Sequence, residues 1–455
     1  MTAISRVLVA NRGEIAVRII KACQKLGIDT VLAMSEADCD TLAARMADKA
    51  VCIGPPPPLE SYLKVNTIIM AALGTGADAI HPGYGFLAEQ PELGEACIRN
   101  GLTFIGPGPE SIRQMGDKLV ARKTAIDLNI PLIPGSALIT DLPQGWREAE
   151  KIGFPVLLKA AAGGGGKGMK AVYKPEEMET VFREASAEAR AAFGDDRLYM
   201  ERFIPNARHI EVQILSDCYG HCVHLFERDC SLQRRYQKVI EEASSTAISE
   251  ELREQMCNSA VLIAQSIGYE TAGTVEFVLD QDEKRFYFLE MNTRIQVEHP
   301  VTEMVTGVDL VAEQIRMAAG ERLELYQDDI QVTGHAMECR INAECPEDNF
   351  RPSPGRIVKW KIPQEKGVRV DTHCFKGYFV PPYYDSLLAK LITIGETRED
   401  AISKMAHALS NFHVTGIDTN IKFLSAIMNH PDFRSGRTNT RWLETVVCKQ
   451  GDGNP

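Results

Sequence analysis

"LEMNTRIQVEHP", residues 289–300, alternates: Glu290, Asn292, Arg294, Gln296 and Glu298 fall on even positions, with Met291, Thr293, Ile295, Val297 and His299 between them. Successive side chains of a strand point to opposite faces. Read as one strand, the stretch aims five polar groups the same way. The question is what needs Glu, Asn, Arg, Gln and Glu in a row.

The preceding residues answer half of it. "TAGTVEFVLD" (271–280) and "RFYFLEMN" (285–292) flank the turn "QDEK" and read as a β-hairpin. A three-residue loop, Asp282–Glu283–Lys284, sets Asp280 opposite Phe286, Val278 opposite Phe288 and Glu276 opposite Glu290. Like charges placed so are destabilising unless a divalent cation lies between them. Asn292 adds a neutral oxygen on the same face. Oxygen-only ligation with few protein ligands describes Mg²⁺ better than zinc or calcium. A register with an even loop breaks this pairing and leaves two solvated glutamates. Arg294, Gln296 and Glu298 have no part in metal binding; a cation, an amide and a carboxylate suit a small planar oxyanion that must lose a proton.

Upstream, "KAAAGGGGKGMK" (159–170) holds four consecutive glycines. It fits GxGxxG in form, but "MKAVY" after it is strand-like where a dinucleotide motif opens a helix. It fails as a Walker A loop because Met169 follows Gly168. The pattern predicts a strand–loop–strand flap whose backbone N–H groups cradle phosphates, with Lys159 and Lys167 adding charge. The plainer reading is a surface hairpin.

The rest of the chain bounds the setting. Its 455 residues suit about three domains. The net charge of −12 and the lack of a long basic run argue against nucleic acid or an anionic membrane as partner. No apolar run approaches the roughly 18 residues of a membrane helix. The 12 cysteines form no CxxC and no zinc spacing, and they read as buried thiols of a cytoplasmic protein. Cys230, in "RDCSLQRR", is the exception to weigh, since nearby arginines lower a thiol's pKa, but an inert buried thiol is the preferred reading. "RVLVA", "GEIAVRIIKACQKLG" and "DTVLAMS" read as strand, helix and strand of an α/β unit. Helices are expected over 175–193 and 249–268, with strands near 198–202, 209–215, 221–227, 272–280 and 285–291 and a boundary near 116. No internal repeat is visible.

On "ANRGEIAVRI", "IHPGYGFLAE", "MGDK", "LLKAAAGGGGKGM", "RHIEVQ", "EFVL", "EMNTRIQVEHPVTE", "ECRINAE" and "VPPYYDS", residues 5–445 resemble the biotin carboxylase subunits and domains of biotin-dependent carboxylases, within the ATP-grasp superfamily. "VPPYYDSLLAKLI" is more similar to free-standing acetyl-CoA carboxylase subunits than to pyruvate carboxylases. The resemblance implies a multidomain chain of α/β and α+β parts. These are a Rossmann-like α/β domain (1–116), an ATP-grasp core (117–334) with a glycine-rich lid at about 134–204, a β-rich carboxyl-terminal domain (335–448) and a tail (449–455).

The resemblance also implies residue roles. Lys118 and Lys159 contact ATP phosphates beneath Gly163, Gly164, Gly165, Gly166, Lys167, Gly168 and Met169. Glu201 and the backbone after it, through Arg202 and Ile204, receive adenine. His209 and Gln233 approach the ribose, beside Tyr236, which stands where the family usually has His. Glu276, Glu290 and Asn292 hold two Mg²⁺ or Mn²⁺ ions. Lys238, Arg294, Gln296 and the backbone of Val297 cradle bicarbonate, and Glu298 removes its proton. Arg340 stabilises the biotin enolate, with Tyr84 nearby. Taken without the resemblance, Arg340 and Glu338 share a strand face and read as an ordinary ion pair.

Biotin is carried in such systems on the Lys of Ala-Met-Lys-Met, and "GMKA" at 168–171 lacks the second Met. The carrier is therefore expected to be a separate biotin carboxyl carrier protein. The further expected partner is a carboxyltransferase, and the chain is expected to be a homodimer. The rivals are another ATP-grasp ligase activating a different carboxylate, against which "RIQVEH" and Arg340 argue, and a non-catalytic nucleotide-binding scaffold.

Overall fold

The apolar runs of the first hundred residues build a parallel sheet. In the computed structural model, which describes residues 4–161 and 169–447, β1 (Arg6–Val9), β2 (Asp29–Met34), β3 (Lys49–Cys52), β4 (Ala79–His81) and β5 (Thr103–Phe104) run in the order β3-β2-β1-β4-β5. Parallel neighbours need crossovers, which the helices Gly13–Leu26, Val65–Thr75 and Pro91–Arg99 supply. Strand period shows in the core. Val7 and Val9 pack against Ile15 and Ile19 on one face, and Leu8 against Ile68 and Leu93 on the other. The first helix stops at Gly27, whose φ of +72° is left-handed and costs glycine little.

A small antiparallel sheet follows, of β6 (Val156–Ala160), β7 (Met169–Val172) and β8 (Leu198–Arg202) in the order β7-β6-β8. Helix Met178–Phe193 covers it, burying Met178, Ala185 and Ala189 against Leu158 and Met200. The largest layer is an eight-stranded antiparallel sheet. It holds β9 (Ala207–Ser216), β10 (Cys222–Arg234), β11 (Gln237–Ala243), β12 (Thr271–Asp280), β13 (Arg285–Asn292) and β14 (His335–Asn342), followed by the strands Leu387–Gly395 and Val368–Thr372. The order is β13-β12-β9-β10-β11-β14, then those two. Within this sheet two strand features lie outside the sequence expectation: β11 itself, and the extension of β10 to Arg234. Among the described residues no helix is long and apolar enough to cross a membrane.

The central hairpin departs from its expected register and still pairs its acids. Asp280 lies opposite Arg285, Val278 opposite Tyr287 and Phe277 opposite Phe288, so the loop is 281–284. Asp280 Oδ1 accepts from the backbone N–H of Asp282 (3.0 Å) and Glu283 (3.1 Å), which favours the longer turn. A bulge then intervenes. Phe277 faces Phe288 but Glu276 faces Glu290, so Leu289 is the extra residue and the two glutamates are opposed after all. The alternation of 289–300 does not continue as one strand. Pairing ends at Asn292, residues 293–298 are bends and turns, and a helix runs His299–Thr306 with Pro300 in its first turn. Proline lacks the N–H a ladder needs and has the φ a helix start wants.

The ladder also crosses the expected boundary at 334. Strand β11 pairs with β14, Glu242 opposite Met337 and Ala243 opposite Ala336. Behind the sheet, Ile240, Met337, Cys339 and Leu391 pack on Met405, Leu409 and Leu424 of the last helices. Beside the seam, Glu242 accepts from both nitrogens of an Arg398 fork (2.6 and 2.9 Å) and from His335 Nε2 (2.9 Å). Burial alone pushes the Glu242 carboxyl up. The bonds from His335 and Arg398 outweigh it and bring it to about 2, from 4.5. A depressed native pKa stabilises above the unfolded value and is lost as pH falls through the native one. Glu242→Gln is therefore expected to cost about 3 kcal/mol at pH 7. Its deficit against the parent should shrink as pH falls from 4.5 toward 2. Urea midpoints across that range measure it; a constant deficit would mean the ion pair is not its source.

Candidate active site

Charge runs across the sheet as a row. Glu290 on β13 faces Glu276 on β12, Glu276 faces Glu211 on β9, and Glu211 faces Arg228 on β10. Directly paired residues share a face, so three carboxylates and a guanidinium stand side by side. Arg228, fully buried, donates to Glu211 Oε1 (2.5 Å), Gln213 Oε1 (2.8 Å), Thr302 Oγ1 (3.0 Å) and Thr274 Oγ1 (3.1 Å). Lys238 on β11 reaches over the row. Its Nζ lies 2.6 Å from Glu211 Oε2, 3.0 Å from Glu276 Oε1 and 2.7 Å from Glu298 Oε1. Burial pushes the Lys238 ammonium toward the neutral form, but the three carboxylates outweigh that and raise its pKa. Burial likewise opposes ionisation of Glu276, yet Lys238 and His209 hold it below the usual range. His209 Nε2 is 3.2 Å from Glu276 Oε2. Burial lowers its pKa, Glu276 raises it, and the balance lies at about 9.

The residues past the strand complete the site. Arg294 donates from Nε to Glu89 Oε2 (2.8 Å), from Nη1 to Gln296 Oε1 (2.7 Å) and from Nη2 to Asn292 Oδ1 (3.0 Å). Gln296 Nε2 donates to Glu276 Oε1 at 3.0 Å. Glu298, with no exposed surface, is held from both ends: Oε1 by Lys238 and, at 2.9 Å, Oε2 by Arg340 Nη2. The carbonyl of Val297 accepts from Lys390 (2.9 Å), which also pairs with Glu14 (3.0 Å). Glu14 in turn accepts from the Tyr84 hydroxyl.

His209, Lys238, Glu276, Glu290, Arg294, Gln296, Glu298 and Arg340 line one cavity of about 1010 Å³ between the first sheet, the small sheet and the large one, while Glu211, Arg228, Glu89 and Lys390 stand outside its lining. Lys118, Lys159, Met169 and Glu201 line its other end, with Gln233 and Tyr236 beside them. Lys159 and Arg122 both pair with Glu201, the latter at 2.6 Å, so phosphate oxygens would compete with Glu201 for Lys159. Arg202 and Ile204 are not in the lining. Arg202 is turned to Glu283 and the Tyr287 hydroxyl, and Ile204 is buried with Ile133 and Tyr287. Gly163, Gly164, Gly165, Gly166, Lys167 and Gly168 lie outside the described residues. Cys230 fits the preferred reading and not the one its arginine neighbours raise. Burial, then the Glu211 charge, lifts its pKa well above the ordinary value, because Arg228 is spent on Glu211. Its thiol is inert.

The acids fit a divalent cation. Burial and then Glu276 push the Glu290 carboxyl up, the signature of two carboxylates sharing a site with too little positive charge. Asn292 Oδ1 accepts one bond, from Arg294, and its second lone pair stays available. These three residues would hold the ion, and a bound Mg²⁺ would neutralise phosphate charge. Sequence reading misses Glu211, Arg228, Glu89 and Lys390. A signal for Glu211 is present in "RHIEVQ", where it alternates with His209 and Gln213.

Three family models cover the chain: "Biotin carboxylase, N-terminal domain" over residues 3–112, "Carbamoyl-phosphate synthase L chain, ATP binding domain" over 117–326 and "Biotin carboxylase C-terminal domain" over 338–445. Together they define the class, a carboxylase built around an ATP-binding core. Among curated relatives, biotin carboxylase 1 of Bacillus subtilis (strain 168) is 52% identical over 443 residues, 97% of this chain and 98% of the relative. A pyruvate carboxylase subunit of Methanothermobacter thermautotrophicus is 49% identical over 441 residues, 97% of this chain and 89% of that one. Among solved structures, the biotin carboxylase domain dimer of the Hydrogenobacter thermophilus 2-oxoglutarate carboxylase, in complex with MgADP, ADP and bicarbonate, matches with a TM-score of 0.93 at 48% identity over 98% of both chains. The chain belongs to the biotin carboxylase family.

Glu290→Gln is expected to weaken Mn²⁺ binding in the presence of ADP by at least about tenfold, about 1.4 kcal/mol. Titration followed by electron paramagnetic resonance measures it, and unchanged affinity would remove Glu290 from the metal set.

Proposed function

We propose that this chain carboxylates biotin at the expense of ATP and bicarbonate, the biotin being carried on a separate biotin carboxyl carrier protein. The observation that carries the reading is the double grip on Glu298. One oxygen meets Lys238, the cation proposed for bicarbonate, and the other meets Arg340, the cation proposed for biotin. A single carboxylate thus touches both half-sites.

Burial pushes the Glu298 carboxyl up, but Lys238 and Arg340 more than offset this and keep it below its ordinary pKa, so it is ionised at neutral pH. Bicarbonate entering between them takes up those donors. Relieved of part of its positive surroundings, Glu298 becomes a stronger base at the moment it is needed. Lys238, Arg294 and Gln296 orient the anion, Glu298 takes its proton, and a bicarbonate oxygen attacks the terminal phosphate of ATP, breaking its bond to the bridging oxygen and releasing ADP. The carboxyphosphate so formed releases CO₂ and phosphate, the phosphate removes the proton from the biotin ring nitrogen, and that nitrogen bonds to the carbon of CO₂. Arg340 holds the enolate oxygen, a role suited to a fixed guanidinium. Glu276, Glu290 and Asn292 hold the Mg²⁺ or Mn²⁺ ions, and Lys118 and Lys159 meet the phosphates. The chain is read as a cytoplasmic homodimer that works with a separate carboxyltransferase. The final acceptor is chosen there; relatives at similar identity carry the names of different carboxylases.

ATP hydrolysis is expected to require bicarbonate and to rise with free biotin. A different ligase would ignore biotin, and a scaffold would show no turnover. Glu298→Gln is expected to retain ATP binding while losing on the order of 10²–10⁴ in turnover. Full activity in that variant would take the base role from Glu298.

A further inference from the structure

One pair of buried acids has no part in the steps above. Glu241 on β11 stands directly opposite Glu338 on β14, so the two side chains share a face, with about 4.5–5.5 Å between Cβ atoms. Both have no exposed surface. Arg340 Nε donates to Glu241 Oε1 at 2.6 Å. No donor among the described residues reaches Glu241 Oε2 or either oxygen of Glu338.

The other groups facing Glu338 are committed elsewhere. Arg340, two residues along its own strand, is divided between Glu241 and Glu298. Lys390, opposite Arg340 on the next strand, gives its ammonium to Glu14 and the Val297 carbonyl. At the helix His299–Thr306, which packs against β14, Glu298 is held by Lys238 and Arg340, and burial keeps His299 neutral. The opposite face of β14 packs Met337 and Cys339 on Met405 and Leu424, and its charged groups, His335 with Glu242 and Arg398, are paired with one another there. Two carboxylates in so dry a place, with one guanidinium between them and a third acid, cannot both ionise.

We infer that Glu241 and Glu338 share one proton, Glu338 donating it to the unmet oxygen of Glu241, and that Glu338 thereby acts as a positioning residue for Arg340. Burial pushes the Glu338 carboxyl well above the usual range, Lys390 only partly opposing it. Burial likewise raises Glu241, to about 7, against the pull of Arg340. With the proton in place, Glu241 is fixed and holds the Nε edge of Arg340, leaving Nη2 aimed at Glu298 and the cavity. Loss of the proton puts a second negative charge behind the guanidinium and draws it back from Glu298. The inference rests on the function proposed above for Arg340, but the proton itself does not.

The test uses the full chain. Glu338→Leu is expected to lower kcat for biotin-dependent ATP cleavage on the order of 10²-fold, as for a misplaced catalytic group, with KM for ATP little moved. Glu338→Gln, whose amide N–H donates to Glu241 in place of the acid proton, is expected to restore most of that loss. It should also keep its activity at alkaline pH where the parent declines, having no proton there to lose. Infrared spectra at neutral pH should show a protonated carboxyl C=O band that vanishes in Glu338→Gln and persists in Glu298→Gln. A Gln variant no better than the Leu variant, an unshifted alkaline limb, or a missing band would each overturn the inference. Failure of the parent to use biotin would refute the functional reading instead, and the infrared band reports the proton without any turnover.

Discussion

One ammonium group holds the site together. Lys238 is shared by Glu211, Glu276 and Glu298, three carboxylates from a central strand, its neighbour and the turn beyond β13. Carboxylates that are this dry repel one another and resist ionisation, and a buried charge left without its partner is strongly destabilising. Arg228 anchors the far end of the row, but only Lys238, among the described residues, pairs with both Glu276 of the hairpin and Glu298 at the helix start. Glu276, proposed to hold metal, and Glu298, proposed to move a proton, therefore depend on the same nitrogen. A change at either is felt by the other.

Much of this is legible in the chain, and the part that is not has physical causes. The α/β pattern of the first hundred residues and the paired hairpin are readable because each obeys one period, 3.6 or 2, over its whole length. The hairpin shows how a right pairing can come from a wrong register. The turn chemistry of Asp280 lengthens the loop, and the bulge at Leu289 shifts the ladder back. Bulges have no sequence signature in a run of apolar residues. The five-residue alternation from Glu290 to Glu298 is real, yet only its first two members lie on a strand; Pro300 turns the rest toward a helix.

Partners across strands are the least readable. Glu211 meets Arg228 and Glu276 because three strands come into register, and Glu89 meets Arg294 from another part of the chain entirely. Such neighbours follow from topology, and a single sequence does not carry them. The same holds for Cys230, whose neighbour Arg228 turns to Glu211 while Arg234 and Arg235 reach Asn349. Arg202 shows the converse. Its place after Glu201 suggests a shared site, but on a strand successive side chains part company, and its own goes to Glu283 and Tyr287.

The large sheet has one more consequence. Because β11 and β14 are bonded neighbours, the carboxyl-terminal third is not an appendage on a linker but the continuation of a shared fabric. A polypeptide ending near residue 334 would expose a raw selvage along β11, with Ile240 and Ala243 open to any other strand that came by. Such a fragment invites fibrous association, so splicing or transplanting this enzyme has to respect the weave and leave both halves of the cloth on one chain.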